Sequence, residues 1–245
     1  MSVHTDALRT KAAEIIAIAD TIDAGSSSSP PPAGPIPLDC LTGTVVARQM
    51  NPAPGNEQDT GVWNQRVSQF DAANAGLAGG TILLIGDSIT YSLSASAISA
   101  RAYNMGISGD TVRGFTNRVG RNDVIHRAGA CVLLMGINDL VWEGDHYGLN
   151  NGVKQSILDV NWMYEQFKPN LSGKWLVLGI LPINTTMYTG HNINNADIEA
   201  VNSYLATLFS GSSVVTFLDL RSQLIDTNGQ PRVDYADDGV HLSAA

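Results

Sequence analysis

Ser88, Asp238 and His241 carry the side chains from which nucleophilic acyl chemistry is built. Ser88 lies in Ile-Gly-Asp-Ser-Ile-Thr (85–90), directly after an apolar run, where a strand should turn into a helix. The start of a helix presents unpaired N–H groups and a positive dipole end, which suit a developing oxyanion. A serine hydroxyl is a weak nucleophile until a base takes its proton, and the base needs an orienting acid. His241 stands in Asp-Asp-Gly-Val-His-Leu-Ser (237–243), with Asp238 three positions before it. In a loop or short helical turn that spacing lets the two side chains converge on one site. Asp237 is adjacent but its spacing fits less well, and His4, His126, His146 and His191 have no comparable acidic partner.

Two further segments offer donors for a carbonyl oxygen. Gly106, in Asn-Met-Gly-Ile-Ser-Gly-Asp-Thr (104–111), could present its backbone N–H where a side chain would obstruct a substrate. Asn138, in Gly-Ile-Asn-Asp (136–139), could aim its side-chain amide at the same oxygen. Each such donor contributes about 3–4 kcal/mol in a transition state.

Every segment also has a plainer reading when taken alone. Ser88 could be an ordinary helix N-cap, and His241 a solvated residue in a surface turn. Gly106 could be a turn glycine, and Asn138 an Asx-turn or cap. The string around Ser88 is not Gly-x-Ser-x-Gly, because Thr90 stands at the last position, which disfavours a standard α/β-hydrolase. Asp110 and Asp139 could be paired acids for glycoside hydrolysis, but are more simply loop residues beside the donors. What separates the readings is the joint order of the four segments.

The elements around these segments alternate. Apolar runs at 81–85, 131–135, 175–180 and 214–218, with a shorter one at 102–105, read as parallel strands. Helices are predicted between them at about 91–100, 111–127, 152–168 and 195–210. The pattern specifies one α/β sandwich with about five parallel strands, in which ligands gather at the carboxyl ends. Ser88, Gly106 and Asn138 all fall there. Before the sheet, Trp63–Leu77 reads as a helix with Val67, Phe70, Ala73 and Leu77 on one side, ended by Gly79-Gly80. The organisation is then an amphipathic helix over 1–24, a Ser/Pro-rich linker over 25–38 and the α/β domain over 39–245. Leu8, Ala12, Ile15, Ile16, Ala19 and Ile22 give the first helix an apolar stripe, a surface for oligomerisation or docking on a larger assembly.

Composition narrows the classes of function. The 245 residues are 44% apolar and 15% charged, with a formal net charge of −9. An acidic surface argues against nucleic acid as a partner and against docking on anionic membranes. No apolar run approaches the roughly 20 residues that span a bilayer. The N-terminus lacks the apolar core of a secretory signal, which leaves either a protein made without one, cytoplasmic or carried on a larger particle, or one whose signal has been removed. Of the two cysteines, Cys131 opens an apolar strand and reads as a buried free thiol, and nothing places Cys40 beside it. No phosphate-binding loop or metal-ligand spacing occurs.

Taken together, the four segments resemble the GDSL/SGNH hydrolase superfamily, over roughly residues 79–243. The resemblance implies a three-layer α/β/α sandwich of flavodoxin-like type and a serine esterase without cofactor or metal. It makes Ser88 the nucleophile, His241 the base and Asp238 its carboxylate partner, with Gly106 and Asn138 joining the Ser88 N–H in an oxyanion hole. The 104–111 wording is similar to the branch containing thioesterases/lysophospholipases and carbohydrate deacetylases. Members generally continue past the catalytic histidine into a closing helix, whereas this sequence ends at Ala245. Loops at 139–151 and 182–194 should flank the site, with Asp87, Trp142 and Tyr188 lining the substrate. Their aromatic and polar side chains suit a sugar ring or a small acyl group. The expected reaction is hydrolysis of short acyl esters, acetyl above all, on a small molecule or carbohydrate through an acyl-enzyme. The alternatives are a thioesterase or lysophospholipase, and a non-catalytic carbohydrate-binding domain on the same fold.

Overall fold

A computed structural model describes residues 60–74, 76–119, 128–147, 156, 174–232, 236 and 238–242. The N-terminal helix and linker, with Cys40, fall outside the described residues.

Five strands form one parallel sheet: β1 (Ile82–Gly86), β2 (Ala102–Gly106), β3 (Ala130–Leu134), β4 (Lys174–Leu178) and β5 (Val215–Leu218), in spatial order β2-β1-β3-β4-β5. Each lies within a residue or two of its predicted run. Successive side chains of a strand point to opposite faces. Leu83, Ile85, Cys131, Leu133, Trp175 and Val177 accordingly join one core cluster. Leu134 and Leu178 join a second, against which Val132 and Leu176 pack. The chain leaves β1 toward β2 and returns on the other side as β3, so the carboxyl ends of β1 and β3 border the crevice where open α/β sheets bind ligands. Cys131 is a buried free thiol, and burial pushes its pKa up.

The helices are α1 (Thr60–Asn74), α2 (Ser88–Tyr91), α3 (Ala95–Ile98), α4 (Val112–Val119), α5 (Ile137–Tyr147), α6 (Asn195–Leu208) and α7 (Arg221–Leu224). Helix α1 buries Trp63, Val67 and Phe70 in the first cluster. It stops short of Leu77, because the chain turns at Gly76, whose N–H reaches the Ala73 carbonyl at 2.9 Å. The single helix expected over 91–100 is instead two short ones. The Asn104 amide takes the Thr90 carbonyl at 2.6 Å and the Leu93 carbonyl at 2.8 Å, which ends α2. Ser94 is then extended before α3 begins.

The segment read as a loop over 139–151 is helical through Tyr147, as α5. The helix carries Gly144 in its interior, where glycine costs about 1 kcal/mol against alanine. Burial of Ile137, Leu140 and Val141 outweighs that cost. Helix α6 matches its expected range and carries a capping box built by Asn194 and Asp197. Of the helix expected over 152–168 only Ser156 is described, as helical and buried.

Candidate active site

The seat of Ser88 is made by two glycines. Gly86 and Gly106 are register partners on β1 and β2. A Cβ at Gly86 would lie 2.1 Å from Thr90 Oγ1 and 2.2 Å from the Leu134 carbonyl oxygen; one at Gly106 would lie 2.3 Å from the Tyr91 nitrogen. Only glycine at both positions lets α2 settle on the strand ends. Asp87 caps that helix, its carboxylate accepting the Ile89 N–H at 3.0 Å. Ser88 follows as the first helical residue, and Ile89 anchors it by entering the second core cluster.

His241 arrives from the opposite end of the sequence. Asp238 Oδ1 accepts the Val240 N–H at 2.9 Å and the His241 N–H at 2.7 Å, folding the segment into a tight turn. Gly239 takes φ +89° in that turn, and its carbonyl accepts the Asn184 N–H at 2.8 Å. Val240 is buried in the first cluster, while Leu242 packs on the second, the one that holds Ile89. The residue after Ser88 and the residue after His241 therefore share one apolar cluster, which draws the two polar side chains together. His241 Nε2 lies 2.7 Å from Ser88 Oγ, and Nδ1 lies 2.6 Å from Asp238 Oδ2. Partial burial opposes ionisation of Asp238, but hydrogen bonds from the His241 ring and from the His241 and Val240 N–H groups outweigh it and bring its pKa to about 2. An ionised carboxylate only accepts hydrogen bonds, so the ring proton belongs on Nδ1 and Nε2 offers its lone pair to the Ser88 O–H.

The residues expected to bind the oxyanion are placed unevenly. Asn138 sits in the first turn of α5, and its Nδ2 donates to the Asp110 carbonyl at 3.0 Å, which leaves a second N–H on that nitrogen. Gly106 does not fit its expected role. Its N–H is committed to Asn104 Oδ1 at 2.8 Å, and the need for glycine there is the close approach of α2. Gly109, three residues on in the same motif and not among the expected donors, takes φ +73°. Its N–H donates to no acceptor among the described residues, and the same holds for the Ser88 N–H. No local signal in the motif singles Gly109 out, because what marks it, its place next to the Asp110 carbonyl that holds Asn138, is visible only in the fold.

Asp87, expected to line the substrate, does not. It is 1% exposed and its carboxylate is occupied as the α2 cap, so it is not a substrate-lining residue. Burial raises its pKa to about 7 against the Ile89 N–H, with the charge on Asp110 adding to the rise and His241 opposing it. Asp110 and Asp139 do not form an acid pair. Asp110 is salt-bridged to Arg118 at 2.9 Å, and Asp139 takes the Val112 N–H at the start of α4 at 3.1 Å.

Trp142 lies one turn beyond Asn138 on the same face of α5 and is half-buried. Tyr188 stacks on His191 with ring centroids 4.8 Å apart, and its nitrogen lies 3.0 Å from the Cβ position of Gly239. The 184–191 loop thus borders the Asp238–His241 turn.

Residues 84–245 match the GDSL-like lipase/acylhydrolase family, and the chain belongs to that family. No curated protein matches the sequence. Among solved structures, similarity extends to a Streptococcus pneumonia protein named for platelet activating factor, at TM-score 0.60 and 22% identity, covering 74% of this chain and 86% of that one. A GDSL-like lipase from Bacteroides thetaiotaomicron follows at TM-score 0.55 and 19% identity, covering 72% and 89%. A catalytic mutant of an acetylxylan esterase from Geobacillus stearothermophilus superposes at TM-score 0.50 and 16% identity, covering 68% and 88%. At these identities the likeness is one of fold, an α/β sandwich with a five-stranded parallel sheet.

Proposed function

We propose that this acylhydrolase is a serine esterase in which Ser88, His241 and Asp238 act as a catalytic triad. The observation that carries the reading is the unbroken chain of short contacts from Asp238 Oδ2 to His241 Nδ1 at 2.6 Å and from His241 Nε2 to Ser88 Oγ at 2.7 Å. Ser88 Oγ attacks the ester carbonyl as its proton passes to His241 Nε2. The tetrahedral oxyanion is bound by the N–H groups of Ser88 and Gly109 and by Asn138 Nδ2, with Gly109 taking the role first expected of Gly106. Collapse expels the alcohol, which receives the proton from His241, and leaves an acyl-serine. Water activated by the same imidazole then releases the acid and restores Ser88.

The substrate proposed is a short acyl ester, acetyl above all, with a carbohydrate as the alcohol. Trp142 and the stacked Tyr188–His191 pair support this, since flat aromatic faces with polar edges suit a sugar ring. The acetylxylan esterase among the neighbours is in keeping with it. Neither nucleic acid nor a membrane is proposed as a partner.

A fluorophosphonate probe should label the full chain, and Ser88→Ala should abolish labelling. Retained labelling in that variant would remove Ser88 from the mechanism, and a wild-type chain that is never labelled would favour a binding domain. On nitrophenyl esters, acetyl should be turned over faster than decanoyl. The reverse preference would favour the thioesterase or lysophospholipase alternative.

A further inference from the structure

We propose that Trp63, on a helix that precedes the family-matched residues 84–245, is a positioning residue for the oxyanion hole and acts through Asp110. The inference rests on the esterase reading above. Asp110 is fully buried next to Gly109, and its side chain collects three donors: Arg118 Nε–H at 2.9 Å, Thr111 N–H at 3.1 Å and Trp63 Nε1–H at 3.3 Å. Its main-chain oxygen accepts the Asn138 amide at 3.0 Å. One residue therefore ties together the two donors proposed to join the Ser88 N–H in the oxyanion hole. It shares a peptide with Gly109, and its carbonyl fixes the side chain of Asn138.

The anchoring of that residue is lopsided. Arg118 holds Oδ2 through Nε alone. Its Nη1 and Nη2 have no acceptor among the described residues, and the guanidinium lies over the Phe70 and Phe115 rings at 5.4 and 5.5 Å. A single contact to one carboxylate oxygen leaves the carboxylate free to rotate. Oδ1 is held by the neighbouring Thr111 N–H, which moves with the turn, and by Trp63, which does not. Trp63 belongs to the buried stripe of α1 with Val67 and Phe70, so its indole N–H is a fixed point outside the loop it restrains. A buried tryptophan seeks a partner for its N–H in any core. Here the partner is the residue on which the oxyanion donors hang.

The test compares two full-length variants on a short acyl nitrophenyl ester. Trp63→Phe keeps an aromatic ring and removes the N–H. It should lower kcat by about tenfold with KM unchanged, as expected when transition-state donors lose their alignment. Val67→Ala, on the same stripe but with a side chain that has no donor for Asp110, should lower Tm and leave kcat within about twofold. A readout independent of turnover is the nitrogen–proton spectrum of the labelled chain. The Asn138 side-chain amide and the Gly109 amide should shift in Trp63→Phe and stay in place in Val67→Ala. Equal losses of kcat in the two variants, a rise in KM at constant kcat, or unmoved Asn138 and Gly109 resonances would overturn the proposal. Absence of ester turnover and of Ser88 labelling in the wild type would instead sink the esterase reading, and the spectra would still decide the link from Trp63 to Asp110.

Discussion

Replacing Asp87 by asparagine should stabilise the protein at pH 8 and hardly at all at pH 4. The carboxyl is 1% exposed, and its pKa is raised from 3.8 to about 7, chiefly by burial. A group whose folded pKa exceeds its unfolded value binds more proton in the fold, so stability falls as pH rises between the two. For Asp87 that window runs from about pH 4 to about pH 7, and the loss is complete above it. At about 1.4 kcal/mol per pH unit, the full penalty is about 4 kcal/mol, an upper figure because burial energies relax in real proteins. The Asp87→Asn side chain would keep an oxygen to accept the Ile89 N–H, so the α2 cap survives while the buried charge is removed. For a domain of this size the gain at pH 8 is on the order of 10 °C in Tm. Thermal unfolding of both proteins from pH 4 to pH 8 measures it. A Tm difference that is the same at every pH would refute the reasoning, because a constant offset cannot come from a titrating group.

Three further outcomes are expected. Asp238 is held at about pKa 2 mainly by hydrogen bonds that outweigh its partial burial, so the His241 ring keeps an ionised partner above about pH 4 and loses it as pH falls through about 2; Asp238→Asn should lower kcat at neutral pH by a hundredfold or more, read on a nitrophenyl ester. Gly109 and Gly229 both sit at left-handed φ, +73° and +74°, where alanine costs about 1–2 kcal/mol. Gly109→Ala should therefore lower both Tm and kcat, while Gly229→Ala, in the turn at 226–230, should lower Tm alone; equal kcat in the two variants would remove Gly109 from the oxyanion hole. Gly86→Ala should cost about 3 kcal/mol, the upper end for an overpacked site, because the new methyl meets the Leu134 carbonyl oxygen at 2.2 Å, and a chain with wild-type Tm would contradict the packing described.

The parts that sequence made legible are those governed by short-range rules. The apolar runs that became β1, β3 and β4 are long enough and flanked by enough turn residues to leave little choice. The relation of Asp238 to His241 was readable because both lie in one turn, and three positions is the reach of an aspartate to a ring nitrogen there. What escaped the reading depends on contacts far along the chain. Gly106 and Gly109 are indistinguishable by local pattern. One is glycine because the Tyr91 backbone nearly touches it, the other because its φ is positive. Asp87 looked available for substrate until the packing around α2 buried it. Helix α5 holds despite Gly144 because Ile137, Leu140 and Val141 are buried, which only the fold supplies.

The same distinction explains how residues 88 and 241 come to meet. Neither motif specifies the other, since 153 positions separate them. The meeting is arranged by the apolar residue that follows each one. Ile89 and Leu242 share the second core cluster, with Leu134, Leu178 and Leu181 beneath them, so apolar burial brings serine and imidazole within reach of each other. The polar contacts then add direction. Asp238 fixes the ring tautomer, Asp87 fixes the start of the nucleophile's helix, and Asn184 ties the histidine turn to the loop after β4. An apolar force without direction supplies proximity, and hydrogen bonds with direction supply aim. Truncating Leu242 should therefore impair Ser88 reactivity even though its side chain carries no chemistry, whereas a like truncation at Leu224, another neighbour of that cluster with no reactive residue beside it, should not.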